Sequence, residues 1–200
     1  MKILAFFFLI LITITGFSQD LSFSKPDKNY PAVDYSLLIF PFPLDIQVSE
    51  GNFEIDSNTF ILTPQNPVSY DNFLAGLISR EFADKYEIPL LINRKSSFTG
   101  SDKFILIGDI TNPLVKTYCD RNGLTGSLKT LGEEGYILQV TSKNAVVAAN
   151  SRKGALFGLE SLRQLIIVNV GKVTIQQAMV KDVPKFPFRG IKLYLPTIQQ

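Results

Sequence analysis

A chain of 200 residues is long enough for one full domain and the start of a second. With 46% apolar and 19% charged residues it can build a buried core and is too apolar for a disordered tail, while a net charge of +2 without a basic block argues against a nucleic-acid partner. The composition contains no histidine, which excludes Ser-His-Asp and Cys-His catalysis and histidine metal centres, and no cofactor or metal is expected.

The chain opens with MKILAFFFLILITITGFSQD. Lys2 precedes an apolar run from Ile3 to Leu11 and on to Ile14, and the small residues Gly16 and Ser18 follow. This is the pattern of a secretory signal peptide over residues 1–18, with cleavage expected between Ser18 and Gln19. The run is short for a bilayer span of about 20 residues, so no stable membrane insertion is expected. The mature protein is therefore expected outside the cytoplasm, periplasmic or extracellular. Cys119 agrees with export but adds little: it is the single cysteine, can form no disulfide within the chain, and fits a small position on an apolar helix face.

Residues 19–36, with Pro26 and Pro31, read as a linker, and an α+β domain is expected over 37–183. In LLIFPFPLDIQVSEG, Pro41 and Pro43 forbid a helix and suit an extended lead-in at a sheet edge. Gly51-Asn52 predicts a hairpin-like turn before a second strand ending in Phe60-Ile61-Leu62. An amphipathic helix follows: Phe73, Leu74, Leu77, Ile78, Phe82 and Tyr86 recur at steps of three and four until Pro89. IPLLIN and KFILIGDI are short apolar strands, and NPLVKTYCDRNG is one or two helical turns closed by Gly123. Residues 124–134 read as loop. EGYILQVTSKNAVVAAN is a pair of strands around the turn Ser142-Lys143-Asn144, with Tyr136, Leu138 and Val140 on one face.

NSRKGALFGLESLRQLI is the clearest helix. Ser151 suits its N-cap, and Leu156, Leu159, Leu162 and Ile166 form its apolar face. Gly154 and Gly158 lie one turn apart on one face, each costing up to ~1 kcal/mol relative to alanine. Close approach of helix to sheet would offset that cost. SRKGALFG fits neither the dinucleotide fingerprint nor the Walker pattern, so the helix reads as a packing element. GKVTIQQAMVKD supplies a further strand. The order of elements predicts a largely antiparallel sheet with two main helices on one face.

Other candidate chemistry is sparse. Glu133-Glu134 is a carboxylate pair in a glycine-flanked loop, and adjacent strand residues point apart. Asp102, Asp109 and Asp182 are single acids at strand ends, where solvated or turn-capping roles prevail. No catalytic, cofactor-binding or metal-binding residue is assigned.

Three segments together resemble the region preceding the catalytic barrel in family 20 glycoside hydrolases, the β-N-acetylhexosaminidases. IFPFPLDIQVSEGNFEIDSNTFIL looks like the family's Pro-x-Pro, strand, Gly-x-Phe, strand opening. EEGYILQVTSKNAVVAANSRKGALFGLESLRQLI is similar to its Gly-Tyr-x-Leu strand, following strand and Gly-x-x-x-Gly-x-x-x-Leu-x-Gln-Leu helix. VKDVPKFPFRGIKLYL resembles the link into the barrel. The resemblance implies a small non-catalytic α+β domain, then the first strand of an incomplete (β/α)8 barrel over 184–200. It implies as partners the parent's own barrel and, through it, an N-acetylhexosamine-containing glycan. In the family the barrel's neighbouring Asp and Glu act on a substrate whose N-acetyl group is the nucleophile. Tyr194 stands where the family has Asp and Thr197 where it has Arg, so no catalytic residue is carried over. Families 84 and 67 share the arrangement of an α+β domain before a barrel, leaving another exo-glycosidase as an alternative parent. A free-standing exported glycan- or protein-binding module is the alternative of a different class.

Overall fold

The computed structural model describes residues 39–169, 171–186 and 190. The elements run β1 (Asp45–Glu54), β2 (Phe60–Pro64), α1 (Ser69–Tyr86), β3 (Leu91–Lys95), β4 (Phe104–Asp109), α2 (Pro113–Arg121), α3 (Thr125–Thr130), β5 (Tyr136–Val140), β6 (Asn144–Ala149), α4 (Arg152–Gln164), β7 (Ile166–Asn169) and β8 (Lys172–Asp182). One mixed sheet has the order β1-β8-β5-β6-β4-β2-β3, with β7 paired to β8 beside that path.

The α+β class holds, and antiparallel pairing prevails around β8, which joins β1, β5 and β7, and in the β5–β6 hairpin. A parallel block made of β6, β4, β2 and β3 completes the sheet. Period and composition do not separate the two arrangements for a short apolar run. The connection decides: α1 carries the chain from the end of β2 back to its start, so β3 must run parallel to it.

The sheet is covered on both faces. On one, α1 and α4 bury Leu74, Ala75, Ile78, Phe82, Ala155, Leu159 and Leu162 against alternate residues of the strands, including Tyr136, Leu138 and Val140 as predicted. On the other, Leu114, Val115, Tyr118, Cys119 and Leu128 cover Phe104, Leu106, Ile137 and Val146. Fully burying each large aliphatic or aromatic side chain contributes roughly 1.5–3 kcal/mol. The second layer includes α3, within the segment expected to be loop. Thr125–Thr130 is under two turns long and is anchored by the burial of Leu128 and by the Asn150 side chain donating to the Leu128 carbonyl at 2.6 Å, tertiary contacts that local propensity does not announce.

Four further expectations are corrected. Gly51-Asn52 is not a hairpin turn. β1 runs straight through it and pairs with β8, the register shifting between Val48 and Asn52; Gly51 at φ +93° supplies the conformation that this bulge needs. Phe73, placed on the apolar face of α1, is 47% exposed, because the face is centred on Leu74, Ile78 and Phe82. α4 ends at Gln164, and Ile166 opens the unforeseen strand β7, which folds back on β8 with Asn169 opposite Lys172. Leu156 is only half-buried, since Ala155, Gly158, Leu159 and Leu162 form the contact. The signal peptide, the linker and most of the expected barrel strand lie outside the described residues.

Candidate functional site

The site grows from the packing of α4. Ser151 is extended, at φ −146° and ψ 171°, and its Oγ accepts from the Gly154 N–H at 3.3 Å, as an N-cap should. The two glycines lie directly on the β5–β6 hairpin. A Cβ on Gly154 would sit 2.7 Å from the Gly135 carbonyl oxygen and 3.1 Å from the Ala149 Cβ. A Cβ on Gly158 would sit 3.0 Å from the Tyr136 ring and closer still to the Val147 side chain. Helix and sheet are therefore nearer than any side chain allows, and the predicted reason for the glycines is the observed one.

This approach places the far flank of α4 beside both ends of the described domain. Phe157, Glu160, Ser161 and Gln164 form one side of a groove of about 480 Å³. The lead-in Phe40-Pro41-Phe42 and the exit from Asp182 to Phe186 form the rest. Hydrogen bonds fasten these segments together. Gln164 Oε1 accepts from the Phe40 N–H at 2.7 Å, and Asp182 Oδ1 accepts from the Leu44 N–H at 2.9 Å, across 138 residues of sequence. Beneath them the Tyr136 hydroxyl lies 2.6 Å from Ser161 Oγ and donates to Asp182 Oδ2 at 3.2 Å. Burial pushes the Tyr136 hydroxyl well above the ordinary tyrosine pKa, and the carboxylate of Asp182 works the same way, so the phenol stays a neutral donor.

Of the acids singled out from sequence, only Asp182 lines this groove. Asp102 accepts from the Thr99 N–H at 2.7 Å and pairs with Lys95 at 3.0 Å; the Thr99 bond, assisted by Lys95, holds its carboxyl below the usual range despite partial burial. Asp109 is buried and caps its own turn, accepting from the Thr111 N–H at 2.8 Å. Glu133 is exposed, and Glu134 pairs with Lys153 at 3.4 Å. Asp102, Asp109 and Glu134 each have a local structural task, whereas Glu133 lies exposed. Cys119 is buried, and burial pushes its thiol up to about 11, which leaves it protonated and unreactive at neutral pH.

Sequence reasoning missed two features. Asn112 Nδ2 donates to Asp71 Oδ1 at 2.9 Å, while Asn112 Oδ1 caps α2 by accepting from the Leu114 N–H at 3.0 Å. This buried pair ties the starts of helices lying on opposite faces of the sheet. The groove itself was also missed. Its signal was present as two phenylalanine–proline stretches, FPFP at 40–43 and PKFPF at 184–188, which no periodicity connects. Among the described residues, no cluster of three or more His, Cys, Asp or Glu could hold a metal, and no helix is long and apolar enough to cross a membrane.

Residues 37–183 match the family model described as glycosyl hydrolase family 20, domain 2. A β-hexosaminidase of Porphyromonas gingivalis is 24% identical over 170 residues, an alignment covering 82% of this chain and 19% of the relative. The structure called CpGH84B superposes with a TM-score of 0.56 at 22% identity, covering 76% of this chain and 24% of that one. An exo β-N-acetylglucosaminidase of Vibrio harveyi, solved with N-acetylglucosamine, gives a TM-score of 0.55 at 20% identity, covering 78% of this chain and 20% of that one. At these identities the solved structures establish a shared fold. The chain spans about a fifth to a quarter of the length of each of these three proteins.

Proposed function

Because the chain belongs to glycosyl hydrolase family 20, as its domain 2, we propose that it is the non-catalytic N-terminal domain of an exported glycosidase acting on N-acetylhexosamine-containing glycans. Hydrolysis is assigned to a (β/α)8 barrel that follows the domain in the parent protein. One observation carries the reading: the family's second domain accounts for residues 37–183, and the P. gingivalis β-hexosaminidase to which the chain is similar is about five times longer than the part matched. The chemistry of the described residues is in keeping with it. Asp102, Asp109 and Glu134 are committed to turns and ion pairs, and the two glycines of α4 serve packing.

Export rests on Met1 to Ser18, whose single lysine, apolar run and small residues form a signal peptide. N-terminal sequencing of the protein recovered from the exported fraction should begin at Gln19. A chain beginning at Met1 in the cytoplasm would overturn this part.

The genomic DNA beyond codon 200 tests the whole reading. An open frame encoding a barrel with adjacent acidic residues after its fourth strand supports it. A stop codon with no such barrel would replace it with the free-standing binding module.

A further inference from the structure

Apolar side chains left in water gather at the two limits of the family match. That match covers residues 37–183; Phe40, Phe42 and Leu44 sit just inside its start and Phe186 just beyond its end. They are 78%, 55%, 59% and 70% exposed. Phe40, Phe42 and Phe186 line the cleft of about 480 Å³ beside α4, and Leu44 is held at its margin by the bond from its N–H to Asp182. Scattered apolar residues on a surface are ordinary, whereas a contiguous patch marks a face that something covers.

The polar groups of the cleft are ready for cover. Gln164 Oε1 is occupied by the Phe40 N–H, and the two oxygens of Asp182 accept from the Leu44 N–H and the Tyr136 hydroxyl. Ser161 Oγ lies against that same hydroxyl. Groups satisfied inside the domain lose their remaining water at little cost, so an apolar neighbour can close over them. Charge stands at the rim, where exposed Glu160 pairs with Arg163 at 2.7 Å and exposed Lys185 faces solvent. An apolar centre with a polar margin is the make-up of a protein interface.

Continuity of the chain selects the occupant. β8 ends at Asp182, and Val183, Pro184, Lys185 and Phe186 form one wall of the cleft. A domain that follows is therefore tethered within a few residues of the patch, and a short tether holds it there at an effective concentration of about millimolar. A second copy would compete with the chain's own continuation from Phe186 to residue 200. A small polar ligand would find the hydrogen-bonding groups of the floor already engaged.

We propose that this patch is the docking face of the barrel that follows the domain, with apolar side chains of the barrel's outer surface seated against Phe40, Phe42, Leu44 and Phe186. The identity of the partner rests on the function proposed above; the face rests on the exposed residues and the path of the chain. The lead-in Phe40-Pro41-Phe42, pinned by Gln164, is then clasped between the two domains and fixes their relative orientation.

The test compares the 200-residue chain with the protein expressed from the complete open frame. Hydroxyl-radical footprinting read by mass spectrometry reports side-chain exposure. In the longer protein, oxidation of Phe40, Phe42 and Phe186 should fall at least about fivefold, as expected for side chains entering the core of an interface. Leu91, 71% exposed on β3 at the opposite edge of the sheet, should react equally in both proteins. Trypsin should cut after Lys185 more slowly in the longer protein, and Phe42→Ser or Phe186→Ser should restore the fast cleavage. Both substitutions should leave the urea midpoint of the 200-residue chain unchanged, because the two rings are exposed there. A barrel in the frame with the three phenylalanines as reactive as in the short chain overturns the inference and leaves the functional reading standing. A frame without a following domain overturns both. A dimer of the longer protein that Phe186→Ser dissolves assigns the face to a second copy and also overturns the inference.

Discussion

Replacing Gly158 by leucine tests the central packing contact. The structure shows that even the first carbon of a side chain at this position would lie 3.0 Å from the Tyr136 ring and closer still to Val147. Both neighbours are buried in the core beneath α4, Val147 on β6 and Tyr136 on β5, and Tyr136 is held by Ser161 and Asp182. They cannot yield as a surface side chain would, so α4 has to lift from the sheet or tilt. Overpacking of this kind typically costs ~1–3 kcal/mol, and leucine regains at most ~1 kcal/mol through its better helix propensity. Displacing α4 also loosens the burial of Leu159 and Leu162, so a net loss of about 2–4 kcal/mol is expected, a large part of the 5–15 kcal/mol of a typical domain. Glu160→Leu, two residues away, is the control. Glu160 is exposed and gives up only a partly solvated pair with Arg163, which keeps Glu81, so its effect should stay within about 0.5 kcal/mol. Urea unfolding monitored by circular dichroism reads both. A clear drop in midpoint for Gly158→Leu beside a near-native Glu160→Leu is expected. Equal midpoints would refute the close-approach argument.

Three other outcomes are expected. The purified chain should leave an aryl N-acetylglucosaminide unhydrolysed; turnover above the buffer blank would show that the acids of this domain do chemistry. Asn112→Ala should destabilise by about 2–4 kcal/mol, since it removes the α2 cap and leaves Asp71 buried without a side-chain donor, whereas Asn122→Ala on the exposed end of α2 should cost under about 1 kcal/mol. The third concerns alkaline pH. Burial raises the Cys119 thiol from 9.0 to about 11, so an unfolded chain releases that proton first. Stability from this group is complete below pH 9 and declines as pH rises toward 11. Cys119→Ala should flatten that decline in unfolding curves measured from pH 8 to 11, and an unchanged slope would mean the thiol is not buried in solution.

Much of the outline was legible without coordinates. The hairpin around Ser142-Lys143, the N-cap at Ser151 and the apolar face of α1 all follow from local rules: turn chemistry, capping and periodicity act within a few residues, so the order of amino acids determines them directly. The Gly154–Gly158 pair also carried its meaning in advance, because two glycines on one helix face are tolerated only where something approaches closely. What tertiary structure decided is the set of contacts between segments distant in sequence. Gly51 could have closed a hairpin; pairing of β1 with β8 made it a bulge instead. β2 and β3 read alike as apolar runs, and it is the α1 crossover between them that sets them parallel. Thr125–Thr130 became helical because a neighbouring sheet face needed Leu128. The groove is the extreme case. Phe40 and Phe186 are both dispensable to any local pattern, and they share a surface only because Asp182 and Gln164 bind the backbone of the lead-in segment from across the sequence. Local free energies are written along the chain, whereas a site assembled from its two ends exists only after the sheet between them has formed.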